Sequence, residues 1–292
     1  SSASELGGSI FASARSEIKL ESSAFLNGSA ESFGLGSDTN VAQLGGHMYL
    51  SNSKLTLDQT DVVDGSADEG GGIYCTTSTA KLGGGMTMTA GYMVSCQAKK
   101  LGGGGAIYAT DCGLELVDMN VQNCSAVIGN GGAMTIGERS TMKMDGDKTL
   151  LAKNKAAGNG GAIHCSNCLS VSLAEIKLED NYAGQNGGGL SVSSKMGTPA
   201  TLEQYRNRYF RNIAKNNGGA VSLVGASLAS KEDSFIGNIA QKGDGGAVYA
   251  QASQQKYSLW FNFEQESPFQ RNHASKGGGA FLYWTPFRQR PE

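Results

Sequence analysis

Carboxylates, imidazoles and thiols are where this chain could do chemistry. Asp58, Asp61 and Asp64 crowd into one short stretch, and Asp145 and Asp147 flank Gly146. Glycan cleavage needs two carboxyls about 5 to 9.5 Å apart or a basic partner, and no Lys or Arg recurs opposite either group. Both groups read as solvated turn acids. Asp145-Gly146-Asp147 lacks the alternating ligands of an EF-hand loop and the Gly-Gly-x-Gly-x-Asp spacing of calcium-binding β-rolls. His47, His164 and His273 lie far apart, which leaves His164 beside Cys165 as the least poor nucleophile pair. The expectation is no catalytic residue, no metal and no cofactor.

The 6 cysteines allow three readings: a disulfide set, small core residues or zinc ligands. Zinc is disfavoured, because a second Cys-x-x-Cys and a His pair are both missing. Cys165-Ser166-Asn167-Cys168 is spaced to pair locally. Choosing among the rest requires knowing what places them.

The positioning element is a repeat. A glycine pair followed by a small and then an apolar residue returns about every 30 residues, as at Gly45-Gly46-His47-Met48, Gly104-Gly105-Ala106-Ile107 and Gly245-Gly246-Ala247-Val248. Between successive pairs stands a segment of the form apolar-x-x-(Asn/Cys/Gly)-x-Ala, as at Leu178 to Ala183 and Phe235 to Ala240. Most intervals also hold a stretch of period-2 alternation such as Lys54 to Leu57 or Thr141 to Met144, which means strand. Three short strands per repeat, Gly/Asn/Asp turns and no helical periodicity predict an all-β fold. It is a right-handed single-stranded parallel β-helix, a pectin-lyase-like solenoid of about ten coils, filling residues 1–292 as one domain. At about 4.8 Å per coil the rod would be roughly 45 Å long.

Stacking places equivalent residues above one another. Asn154, Asn181, Asn212, Asn238 and Asn272 then form one hydrogen-bonded column, a structural Asn ladder. Cys96 and Cys124 fall at the same position in earlier coils, and a Cα spacing near 4.8 Å lies inside the disulfide range. A bond there would staple two coils, and Cys75 and Cys112 also lie in adjacent coils. Any such bridge implies an oxidising, extracellular setting. The outward residue of the first strand is Phe11, Tyr49, Tyr74 and Tyr108 in the first four coils, a possible binding face for sugar rings or a partner's apolar groups. Asn27-Gly28-Ser29 and Asn123-Cys124-Ser125 are N-glycosylation acceptors at turns, which in a secreted chain would make a glycoprotein. The charge-rich segment from Thr198 to Arg208 alternates poorly and reads as a short helix or bulged insertion. Trp260, Phe281, Tyr283, Trp284 and Phe287 read as closing the core or docking a following element.

Composition sets the outer limits. With 24 basic and 26 acidic residues the net charge is −2, so no basic surface awaits a nucleic acid. No apolar run reaches membrane-spanning length, and neither end reads as a cap or leader, so a segment of a longer protein or of a filament is expected.

The alternation of Gly-Gly-Ala-(Ile/Leu/Val) with Phe-x-x-Asn, as at Phe235-Ile236-Gly237-Asn238 and Phe269-Gln270-Arg271-Asn272, resembles the repeat of the chlamydial polymorphic membrane proteins, also found in surface proteins of unicellular eukaryotes. The resemblance runs from Gly7 to Ala280, although the early repeats carry Gly or Cys in place of the Asn. It implies a β-helical passenger at the cell surface that works in adhesion. The reading is a non-enzymatic, extracellular structural or adhesive protein of a cell surface or surface filament. Its partners would be other subunits packed end to end or laterally and a cell-surface or carbohydrate ligand, with no nucleic acid and no membrane span. The alternative is a polysaccharide-active lyase or glycoside hydrolase on the same scaffold.

Overall fold

A computed structural model describes residues 2–3, 7–30, 43–77, 85–194, 200–252, 260–265 and 267–284. Every regular element among them is a strand, and every pairing is parallel. No helix long and apolar enough to cross a membrane occurs among these residues.

Each coil has four strands rather than the expected three. In the coil that begins at Gly104 they are Ile107–Thr110, Gly113–Val117, Asn120–Gln122 and Ser125–Ala126, which define a first, second, third and fourth face. Each strand pairs with its counterpart one coil away, giving two sheets of 10 strands and two of 9. The fourth strand escapes sequence reading because two residues are too short to alternate. Coils are numbered below by their glycine pairs, coil 1 at Gly7 and coil 4 at Gly104.

The register is close to pure translation. Ile73 sits on Ile107, Leu116 on Met144, Leu178 on Tyr209, and Ala183 on Ala214. Alternate residues point inward, so one continuous core of Leu, Ile, Val, Met and Ala fills the tube. The glycine pair has two separate causes. Gly160 holds φ +67°, in the left-handed region, where it turns the chain into the first face. A Cβ on Gly161 would lie 2.1 Å from the Gly188 carbonyl oxygen one coil on.

Left-handed residues, most of them not glycine, make the remaining corners. Asp111, Asp118 and Asn123 have φ of 56°, 52° and 53° in one coil, and Arg206 and Arg211 repeat the pattern later. One such residue between two short strands bends the chain without a long loop. The Thr198 to Arg208 segment contains a regular strand, Ala200–Tyr205, in register with Ser170–Ala174, followed by Arg208–Phe210, and neither helix nor bulge occurs among its described residues. Inward Leu202 and outward Glu203 supply the alternation its charges disguised. Thr198, Pro199, Ser258 and Phe287 lie outside the described residues. Near the C-terminal end Phe261, Phe263, Phe269 and Phe281 pack edge to face on one another and lie against the end of the core.

Candidate functional site

The asparagine column lies inside the tube, where the third face turns into the fourth. Asn154, Asn181, Asn212 and Asn238 are buried, each directly after a left-handed corner residue. Asn181 shows the pattern. Its Oδ1 accepts the backbone N–H of Asn154 at 3.0 Å and the Asn154 Nδ2 at 3.1 Å. Its own Nδ2 donates to the Leu151 carbonyl at 2.9 Å and to Asn212 Oδ1 at 2.9 Å. The same bonds join Asn212 to Asn238, and Asn238 to Asn272. Both ends of each amide are used, as buried polar groups require.

Cys96 and Cys124 are free, buried thiols, so the bridge considered between them is absent. Translation along the axis stacks the two thiols as neighbours without joining them. Each takes the asparagine's part as a weak donor: Cys96 Sγ to the Val62 carbonyl and Cys124 Sγ to the Met93 carbonyl, both 3.7 Å. Burial pushes the Cys124 thiol well above its ordinary pKa. The bridges join inequivalent positions, Cys75 to Cys112 and Cys165 to Cys168. Both link an inward residue of the first face to the residue after a left-handed corner, Asp111 or Asn167. One spans two coils and the other closes within a coil.

The earliest coils fill the column differently. A Cβ on Gly28 would lie 2.2 Å from His47 Nδ1, because the buried His47 ring occupies that space. His47 Nε2 is 2.9 Å from the Val63 carbonyl, and burial lowers its pKa.

A second column was not foreseen. Asn130, Asn159, Asn186, Asn217 and Asp244 precede the glycine pairs of coils 5 to 9. Asn159 N–H donates to Asn130 Oδ1 at 2.8 Å, Asn186 N–H to Asn159 Oδ1 at 3.2 Å, and Asp244 N–H to Asn217 Oδ1 at 2.9 Å. Here later coils donate to earlier ones, opposite to the first column. The signal was the residue before each glycine pair, which reads equally well as turn chemistry. A third corner holds Asn207 and Asp233. Asn207 Oδ1 accepts the Ile176 N–H at 3.0 Å, and Asp233 Oδ1 accepts the Asn207 N–H at 2.7 Å. Burial raises the Asp233 carboxyl to about 6, against the lowering effect of its bonds to Ser230 and Asn207.

Phe11, Tyr49, Tyr74 and Tyr108 stack with centroids 5.3, 5.5 and 5.0 Å apart and planes within 9°. Tyr49 and Tyr74 therefore have a neighbour over each face, and what they offer a ligand is ring edges and hydroxyls rather than the open faces that sugar stacking needs. Phe11, 55% exposed, ends the stack. Burial pushes the Tyr108 phenol up to about 12 and Tyr74 further, so these hydroxyls stay protonated.

The acids do not form a cleft pair. Asp58 ends a second-face strand, Asp61 starts the third face and accepts the Tyr92 N–H at 3.1 Å, and Asp64 is a left-handed corner. Asp145 binds the Gly146 N–H at 2.7 Å and so shapes its own turn. Cys165 is committed to its bridge, and His164, buried with Nδ1 unpartnered, has its pKa lowered to about 4 by burial. No three His, Cys, Asp or Glu side chains converge as a metal site among the described residues. Asn27 and Asn123 both stand exposed at left-handed corners with φ of 53°. The second face carries a shallow groove of about 460 Å³ lined by Lys54, Thr56, Thr87, Glu115, Thr141 and Lys143, deepened where Gly85 and Gly113 leave out side chains.

Residues 148–166 and 234–251 match the Chlamydia polymorphic membrane protein repeat. Over 127 residues, 41% of this chain, the sequence is 28% identical to the probable outer membrane protein pmp20 of Chlamydia pneumoniae, of which the match spans 7%. No solved structure matches. Both matched stretches contain a column asparagine, Asn154 or Asn238, and a glycine pair, the two features that recur through the later coils, and the chain is accordingly a β-solenoid that carries repeats similar to those of the polymorphic membrane proteins.

Proposed function

We propose that this chain is a non-enzymatic, surface-displayed rod whose role is structural or adhesive. The observation that carries this is where its chemically able groups go. Asn154, Asn181, Asn212 and Asn238 of the first column, the free thiols, His47 and His164 are buried, most of them bonding one coil to the next, and the surface acids shape turns or sit on separate faces. Such a sequence invests in stiffness and regular display. The match to an outer membrane protein supports a cell-surface or extracellular location, and the two disulfides fit an oxidising compartment.

Adhesion is read from the same relationship, with the exposed Phe11 and the tyrosine hydroxyls as a contact strip for a cell-surface or carbohydrate ligand. The test is adhesion of beads coated with this chain to cultured cells. Coated beads should bind above albumin-coated beads, and Phe11→Ala with Tyr49→Ala should cut binding at least about fivefold. Equal binding of coated and albumin beads would remove the adhesive role. The second-face groove favours a polysaccharide-active enzyme as the other reading. New unsaturated or reducing ends after incubation with a panel of polyuronates and neutral glycans would establish it in place of the rod.

A further inference from the structure

The third face, with the left-handed corner that ends it, changes sign along the rod. In coils 1 to 4 it carries Asp61 and Asp64 and no cation. In coils 5 to 9 Lys153, Lys177, Arg208, Arg211 and Arg271 stand against Glu179 and Asp180. Those two acids are already engaged by arginines of the following coil, Arg208 to Glu179 at 3.8 Å and Arg211 to Asp180 at 2.6 Å. Apolar side chains stand outward in both halves. Leu26 and Tyr92 are 59% and 52% exposed in the acidic half, and Phe210 and Ile236 are half-buried in the basic half.

We propose that this face is the contact surface of an antiparallel dimer, in which a second copy, turned about a two-fold axis near Leu150 of coil 5, lays its acidic half on the basic half of the first. An isologous contact requires a surface complementary to itself after a half turn, and a face negative at one end and positive at the other meets that requirement. Parallel packing would set Asp61, Asp64 and every basic corner on their own copies, whereas this axis leaves only Lys153 opposite its own copy. With the axis at coil 5, coil 2 faces coil 8. Asp64 then meets Gly237, which leaves a gap in the corner column between Arg211 and Arg271. Nine strands at about 4.8 Å make a strip roughly 40 Å long. Only three residues and a corner wide, it buries roughly 500 Å² per copy, less than the roughly 800 Å² of a standard interface. The dimer is therefore weak and salt-sensitive, with steering by charge and anchoring by the apolar residues.

Sedimentation velocity of the chain from about 1 to 200 μM, in about 50 mM and 500 mM NaCl, tests this. The expected result is a dimer at low salt with a Kd of about tens of micromolar, weakened at least about tenfold at high salt. Asp61→Lys with Asp64→Lys should abolish it, as should Arg211→Glu with Arg271→Glu. Mixing the two variants should restore a heterodimer. Far-UV circular dichroism and melting of each variant guard against misfolding, with wild-type salt dependence as the measurement that needs no substitution. A monomer at 200 μM in low salt, or a dimer indifferent to both charge reversals, overturns the proposal and leaves the surface role standing.

Discussion

Two buried titratable side chains pull stability in opposite directions with pH. Asp233 has a folded pKa of about 6 against an ordinary 3.8, so the native state binds more protons than the unfolded chain between those values. Stability falls as pH rises through that window, by up to about 3 kcal/mol. Asp233→Asn should remove this dependence and raise the melting temperature at pH 7, because an amide keeps an oxygen for the Asn207 N–H, as Asn207 does for Ile176. His164 is the reverse case. With a folded pKa of about 4 against 6.5, its neutral burial is compatible with folding above pH 6.5, and stability drains away as pH falls toward 4. His164→Ser, which copies the buried Ser191 one coil on, should make the protein markedly more acid-resistant in melts run from pH 7 to pH 4. The sequence singled out His164 only for its neighbour Cys165 and gave no sign of Asp233, since burial of a polar side chain depends on where in the coil it falls.

At the scale of the element, the columns and bridges decide what breaks. Asn181→Ala would strip the Asn154 N–H and the Leu151 carbonyl of their partners inside the tube. The expected loss is about 2–4 kcal/mol in denaturant unfolding, and clearly less for Asn272→Ala at the partly exposed end of the column. The Cys75–Cys112 bridge closes 37 residues and ties two coils, so removing it should cost about 3 kcal/mol. The bridge across a separation of 3, between Cys165 and Cys168, should cost much less. Cys96 and Cys124 should resist maleimide in the native protein and react at once on unfolding, which mass spectrometry reads directly. The first asparagine column was legible because the residue type recurs at a fixed distance from an apolar anchor. The bridges were not fully legible, since column position tells which residues stack but not which side chains converge. Cys96 and Cys124 share a position and stay unbridged, whereas Cys75 and Cys112 differ in position and are bonded.

Across the whole molecule, each coil touches only its neighbours, and stability is a sum over coil interfaces. Coils 5 to 8 carry both asparagine columns, while coils 1 to 3 fill the first with glycine, a histidine ring or a thiol. Hydrogen exchange should therefore be slowest from about Val121 to Ala240 and faster from Met48 to Ala98, with protection changing coil by coil rather than all at once. The overall architecture was readable because a translational repeat states the same instruction many times, so local noise such as the charges around Glu203 averages out. The number of faces was not, because the fourth strand and the single-residue corners are shorter than any window in which periodicity can be seen.

Because coils 5 to 9 meet one another through the same glycine approach and the same amide pair, removing or adding one unit of about 30 residues there leaves the junction chemistry intact. Recombination between two such units in a gene would yield a shorter or longer rod that still folds. The length of the rod can thus vary without invention of any new contact.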